Sequence, residues 1–396
     1  MPLINTLGGL SGRNYGARLT RELFITLVIP TQTIATGYSY AFTPAVASGG
    51  NGSIVYSVST LPSGLSINSS TGEISGITTA GASSGSYTIT ATDKKGISAS
   101  VAFNLTVTLG IPQYIELMLV GSGGGAAFGD NDDCGGGGGG AGGVYYSTTA
   151  PITVGTSYTI TIGGGGGSNI NAGSNGSDAT FGTGPSQLKA LGGGYGAIAE
   201  NGGNGGSGGG TARGTPTAGI AQQPSSPWGG YGFNGGRGSV PIESGGGGGG
   251  GSGGAGSPNN GNNGGGGGAG LLTLSSLLTA ASAGISGRIA AGGGGGGGTG
   301  GGGGGGAGGG GPGGATNSAG TSGTQYTGSG GGGGGRGGDV IGFPGGNGGS
   351  GLAIIRIPTA YPEATTTGSP TVIVSGSDRI YKFLGSGSIT FSGNPA

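Results

Sequence analysis

The sequence predicts a mainly β protein. An N-terminal β-sandwich is followed by a glycine-rich body of packed polyglycine II helices bracketed by strands, and a short β region closes the chain. Three observations predict this. Glycine supplies 118 of the 396 residues, several times its usual share of about 7%, and it is gathered into runs. Short alternating segments rich in Ser, Thr, Val and Ile fill residues 29–110 and return after residue 358. Charged residues make up only 7% of the chain, so the body has to be built from backbone.

Composition also bears on function. The chain has no histidine and a single cysteine, Cys134, which leaves neither a disulfide framework nor a multi-ligand zinc or haem site. A Ser-His-Asp set is impossible without histidine, and the thirteen acids are thinly scattered apart from Asp130, Asp132 and Asp133. The expectation is a non-enzymatic protein without cofactor or metal. Thirteen basic side chains cancel the thirteen acidic ones, which argues against nucleic acid as a partner. In residues 1–30, Arg13, Arg18 and Arg21 precede a short apolar stretch that ends at Pro30 without a small-residue cleavage pattern. That is neither a secretory signal nor a span of about 20 apolar residues.

The elements follow in chain order. Residues 1–28 are read as an attachment segment, with Arg13, Tyr15, Arg18, Arg21 and Phe24 as its contact candidates. Within 29–110, YSYAF (38–42), IVYSV (54–58), YTITAT (87–92) and VAFNLTV (101–107) place apolar side chains on one face at period two, the pattern of half-buried antiparallel strands. SGGNG, LPSG, NSSTG and DKKG supply the turns between them. The stretch LPSGLSINSSTGEISGITT followed by GSYTITATD resembles the Ig-like, cadherin-like modules of bacterial surface and phage proteins, which implies an Ig-like β-sandwich.

Residues 111–358 form the glycine-rich body. YIELMLV (114–120) opens it, LAIIRI (352–357) closes it, and VYY (144–146) with YTITI (158–162) reads as a hairpin. Ordering a residue costs about 1–2 kcal/mol and a lateral backbone hydrogen bond returns about 0.5–1.5 kcal/mol, so a lone glycine run stays flexible. Many runs bonded sideways and clamped by strands can order. Collagen is excluded because the strict Gly-X-Y period is missing, and a disordered tether is the alternative. LLTLSSLLTAA (271–281) carries leucines at helical spacing and predicts a short helix lying over the bundle. Residues 359–396 return to strands with TVIV and IYKFL.

The glycine runs with variable segments between them resemble the tail-fibre-tip adhesins of T-even-type phages. IELMLVGSGGG, GTSYTITIGGGGG and GGSGLAIIRIP are similar to a broader glycine-rich domain of phage tail and environmental viral proteins. The resemblance implies a virion protein of the tail fibre or tail tip. Its partners would be other tail or fibre proteins and a host cell-surface receptor, either an outer-membrane protein or a polysaccharide, with homo-oligomers compatible. The alternative is a purely structural virion appendage or extracellular filament subunit.

In such a bundle, recognition belongs to the connecting segments, since loops on a rigid scaffold carry it. Residues 211–244 offer Arg213, Gln222, Gln223, Trp228, Tyr231, Phe233, Asn234 and Arg237. Aromatic and arginine side chains dominate binding hot spots, although the same aromatics serve equally well as local cover for a bundle face. Asn259 and Asn260 in SPNNGNN, and Gln325 and Tyr326 near the end of 316–327, are further receptor-contact candidates, with spacer loops as the equal alternative.

Overall fold

The computed structural model describes residues 21–78, 83–108, 110, 112–131, 134–213, 217–223, 230–239, 244–338 and 342–392. The chain divides into two compact units, Met1–Gly110 and Ile111–Ala396.

The first unit contains β1 (Leu23–Leu27), β2 (Thr31–Ala35), β3 (Ser39–Phe42), β4 (Ala45–Gly49), β5 (Ile54–Val58), β6 (Leu65–Ile67), β7 (Ile74–Ile77), β8 (Gly85–Asp93) and β9 (Ser98–Thr108). They pair as β2-β9-β8-β5, β3-β7-β6 and β1-β4. The period-two pattern decides which side chains enter the core. Tyr87, Ile89 and Ala91 of β8 and Phe103 and Leu105 of β9 meet Ile34, Phe42, Tyr56 and Ile74. On the outer face, Thr90 and Ser100 hydrogen-bond each other across the strands at 2.8 Å.

Pairing moves the start of this unit ahead of residue 29. β1 runs antiparallel to β4 along its whole length, with Phe24 opposite Ser48, because LFITL alternates like the other strands and buries Leu23. Phe24, expected in a separate attachment segment, therefore belongs to the sandwich and stands 56% exposed on it. Arg21 is exposed just before β1. Arg13, Tyr15 and Arg18 lie outside the described residues.

The second unit contains β10 (Tyr114–Val120), β11 (Val144–Pro151), β12 (Ser157–Ile162), β13 (Ala179–Phe181), β14 (Leu188–Ala190), β15 (Gly230–Tyr231), α1 (Ser275–Ala280), β16 (Leu352–Pro358), β17 (Thr365–Thr367), β18 (Thr371–Ser375), β19 (Asp378–Phe383) and β20 (Gly387–Thr390). The opening and closing strands of the glycine body lie side by side in a sheet ordered β15-β11-β10-β16-β19-β18, with Glu116 opposite Arg356. A second sheet is ordered β14-β13-β12-β20-β17.

Three expectations change here. The anticipated hairpin does not form, because β11 and β12 sit in different sheets, and Ile152 and Ile160 on either side of the connecting turn share the core between them. The region expected at 359–396 does not stand apart, since β17, β18, β19 and β20 complete both sheets. The leucine segment does form a helix, but a six-residue one. It covers the larger sheet rather than the bundle, with Leu277 and Leu278 packed on Met118, Val120, Leu352, Ile354 and Ile380. The centre of that sheet is thus buried on both faces, which accounts for the unbroken apolar runs of β10 and β16.

Between the strands, the glycine runs build a lattice. Gly135, Gly138 and Ala141 donate their N–H groups to Ser244, Gly247 and Gly250, while Gly136, Gly139 and Gly142 donate to Gly334, Gly331 and Gly328. Gly137, Gly140 and Gly143 donate to Ala197, Gly194 and Leu191. The carbonyls of the same run accept from Gly121, Gly124 and Ala127, from Ser207 and Gly210, and from Gly293 and Gly296. Every third residue faces the same neighbour, the repeat of a three-residue-per-turn polyglycine II rod. Six neighbouring segments surround this run, and all of residues 135–143 are buried. The rods approach so closely that a Cβ built on Gly139 would collide with the carbonyl oxygen of Gly124, and one on Gly293 with that of Gly331.

Candidate functional site

The lattice has two distinguishable ends. Gly121 and Gly143 adjoin β10 and β11, so that end is continuous with the sheets. At about 3.1 Å per residue, the start of the central rod lies about 25 Å away, at the far end. Successive rods run up and down, so each connection belongs to one end, and the hydrogen bonds assign it.

Among the described residues, the far-end turns are hydrogen-bonded to one another. Ile198 N–H donates to Asn171 O at 2.9 Å and Arg213 N–H to Ile198 O at 2.8 Å. Gly298 N–H donates to Asn262 O at 2.9 Å, Thr316 N–H to Gly300 O at 3.2 Å, and Asn317 N–H to Arg336 O at 2.9 Å. Gly337 N–H reaches Asp130 O at 3.1 Å, and Asn259 N–H reaches Arg237 O at 3.1 Å. Exposed Ile170, Asn260, Asn262, Thr299 and Asn317 stand on this end. Arg213 pairs with Asp130 at 3.2 Å, with both side chains more than a third exposed, so the pair contributes little stability and remains open to contact.

The residues singled out in the sequence do not form one site. Arg213, Arg237, Asn259 and Asn260 lie at the far end. Gln223 is at the sheet end, where its Oε1 accepts from Leu191 N–H at 2.8 Å and its Nε2 donates to Lys189 O at 3.3 Å. Gln222 is exposed beside it, bonded through its backbone to Gly205 at 2.6 Å. Tyr231 pairs with Val144 in the sheet and is half-buried. Phe233, 44% exposed, and Asn234 lie along the flank of the next rod, and Asn234 Oδ1 accepts from Ala221 N–H at 2.8 Å. Gln325 and Tyr326 are exposed at the sheet end, where Gln325 Oε1 accepts from Ser350 N–H at 3.2 Å. They line a cleft of about 210 Å³ with Ile285, Lys382 and Leu384. Trp228 lies outside the described residues, as do Asp132 and Asp133. The 211–244 segment is divided because it contains two full rods of opposite direction.

Sequence reasoning missed a role for asparagine. Asn201 and Asn204, three apart, accept through Oδ1 from Thr217 and Ile220 N–H at 2.8 Å each. Asn175, Asn263 and Asn347 accept likewise from Tyr195, Gly301 and Ser168. Their side-chain carbonyls extend the lattice where a backbone carbonyl is out of reach. The spacing of asparagine against the three-residue repeat was the available signal.

Electrostatic perturbation lies away from the far end. Tyr146 donates to Glu116 at 2.7 Å. Burial first, and then the Glu116 carboxylate, push its phenol up to about 12. Arg356 bridges Glu116 and Asp378 in the same cluster. Among the described residues no three His, Cys, Asp or Glu side chains gather as a metal group, and no helix is long and apolar enough to cross a membrane.

Two family models match the chain. A model described as "Putative Ig domain" covers residues 23–108, beginning at β1 as the strand pairing does. A model described as a glycine-rich domain covers residues 98–358. No curated protein gives a significant match.

Proposed function

Because the chain belongs to the glycine-rich domain family, whose model spans well over half of it, we propose that it is an adhesin of a phage tail fibre or tail tip, with the far-end turns contacting a receptor on the bacterial surface. One observation carries this reading: the described turns at one end of the rods are hydrogen-bonded to one another and carry exposed polar side chains, on a body whose central rod is bonded to six neighbours. A stiff support loses little entropy on binding, and several copies on one particle would add avidity. The sheet end receives the chain from residue 112 onward and is occupied by strands and α1, which leaves the far end to meet a partner. Within this reading, Arg213, Arg237, Asn259 and Asn260 are the contact residues, while Gln223 and Asn234 support the lattice. Virion attachment falls to the segment before β1 and to the sandwich.

The test uses labelled full-length protein against a panel of bacterial envelopes. Combined Arg213→Ala, Arg237→Ala and Asn260→Ala substitutions are expected to weaken binding about tenfold or more, equivalent to about 1.4 kcal/mol. Gln325→Ala with Tyr326→Ala should leave it unchanged. If no envelope binds the protein, or the far-end variant binds like the parent, the structural-appendage reading replaces this one.

A further inference from the structure

The sequence contains eight Asn-Gly pairs, at Asn51, Asn175, Asn201, Asn204, Asn234, Asn260, Asn263 and Asn347. Asn-Gly is chemically labile. The glycine nitrogen, unhindered by a Cβ, attacks the asparagine Cγ. The new N–Cγ bond closes a succinimide, the Cγ–Nδ2 bond breaks, and the displaced amide leaves as ammonia with the glycine N–H proton. One water then opens the ring at either carbonyl, giving aspartate or isoaspartate and a new negative charge.

Six of the eight pairs are locked at both reacting groups. Asn175, Asn201, Asn204, Asn234, Asn263 and Asn347 each accept a backbone N–H through Oδ1. The N–H of the following glycine is also engaged: Gly176 to Gly193, Gly202 to Thr217, Gly205 to Ile220, Gly235 to Gly219, Gly264 to Gly301 and Gly348 to Gly166. Attack there requires the lattice to open first. At Asn51, the side-chain amide is held by the Asp93 carboxylate at 3.1 Å. Asn260 differs. Its side chain is exposed, and among the described residues neither its amide nor the N–H of Gly261 has a hydrogen-bond partner. Gly261 has φ +60° in a turn closed by the Asn260–Asn263 backbone pair.

The geometry points to Asn260 as the site of spontaneous deamidation in the folded protein, placing a negative charge on the far end next to Asn259 and Arg237. This holds whatever that end binds. Over time the far-end surface of a neutral chain acquires a mixture of amide and acid at one position.

The intact protein, aged in mildly alkaline buffer, would be digested and mapped by mass spectrometry, with isoaspartate detected by enzymatic methylation. Conversion at Asn260 should exceed that at each of the six lattice asparagines by about tenfold or more, the ratio set by a local opening cost of about 1.4 kcal/mol. Asn260→Gln should remove the dominant signal. In denaturant the eight pairs should convert at comparable rates, which identifies the fold as the source of the difference. If Asn204 or Asn263 converts as fast as Asn260 in the native protein, the proposal is wrong.

Discussion

At the scale of single residues, the lattice turns glycine from a permissive residue into an obligatory one. Gly139 is fixed by its neighbours: a Cβ there would meet the Gly124 carbonyl, a backbone atom that cannot swing aside. Gly304 sits on an outer rod, and a Cβ there would meet nothing within 4 Å. Gly139→Ala should therefore destabilise the second unit by at least the 1–3 kcal/mol typical of overpacking, about that order or more. Gly304→Ala should be neutral or slightly stabilising, because alanine reduces the freedom of the unfolded chain by about 0.4–1 kcal/mol where the native backbone accepts it. Thermal unfolding of the two variants checks this, and equal effects would mean the runs are not packed as described.

At the scale of elements, the β8–β9 hairpin of the first unit depends on one carboxylate. Burial opposes ionisation of Asp93, but N–H donors from Asn51 (backbone and side chain), Ile97 and Lys95 outweigh it and hold its pKa below the ordinary carboxylate value. Asn51 N–H is 2.8 Å from Oδ2, and Lys95 and Ile97 N–H are 2.8 and 3.0 Å from Oδ1. A depressed folded-state pKa gives stability that is fully present above the unfolded value of about 3.9 and lost as pH falls through the folded value. The parent's first unit should thus lose stability on acidification below about pH 4, and Asp93→Asn should flatten that dependence while lowering stability at neutral pH. Acid titration followed by tyrosine fluorescence measures it. The strands themselves were legible: IVYSV, YTITAT and VAFNLTV became β5, β8 and β9 with Tyr56, Tyr87, Ile89, Phe103 and Leu105 inward, although Val55 is exposed, because alternation survives without tertiary information. The partner of each strand was not legible. VYY and YTITI are close in sequence yet separated into two sheets by the core at Ile152 and Ile160, and nothing local in those segments encodes that separation.

At the scale of the whole molecule, the glycine body was legible as ordered rods, and the three-residue repeat of hydrogen bonds agrees with polyglycine II geometry. Which end each loop occupies was not legible. Assigning ends means counting reversals, and glycine reverses direction inside runs that look continuous. At Gly308 and Gly309, φ values of +116° and +110° turn the chain within residues 300–314, where Ala307 and Pro312 alone interrupt the glycine. The contact candidates were consequently drawn from both ends. Since one lateral bond roughly offsets the cost of ordering one residue, no rod is stable by itself and the lattice forms as a unit. Amide hydrogen exchange measures this most directly. The account predicts strong, shared protection across residues 135–143, whose N–H groups all donate to neighbouring rods, with faster exchange at Gly304 and in the far-end turns. Exchange of residues 135–143 at the rate of an unfolded glycine chain would contradict it.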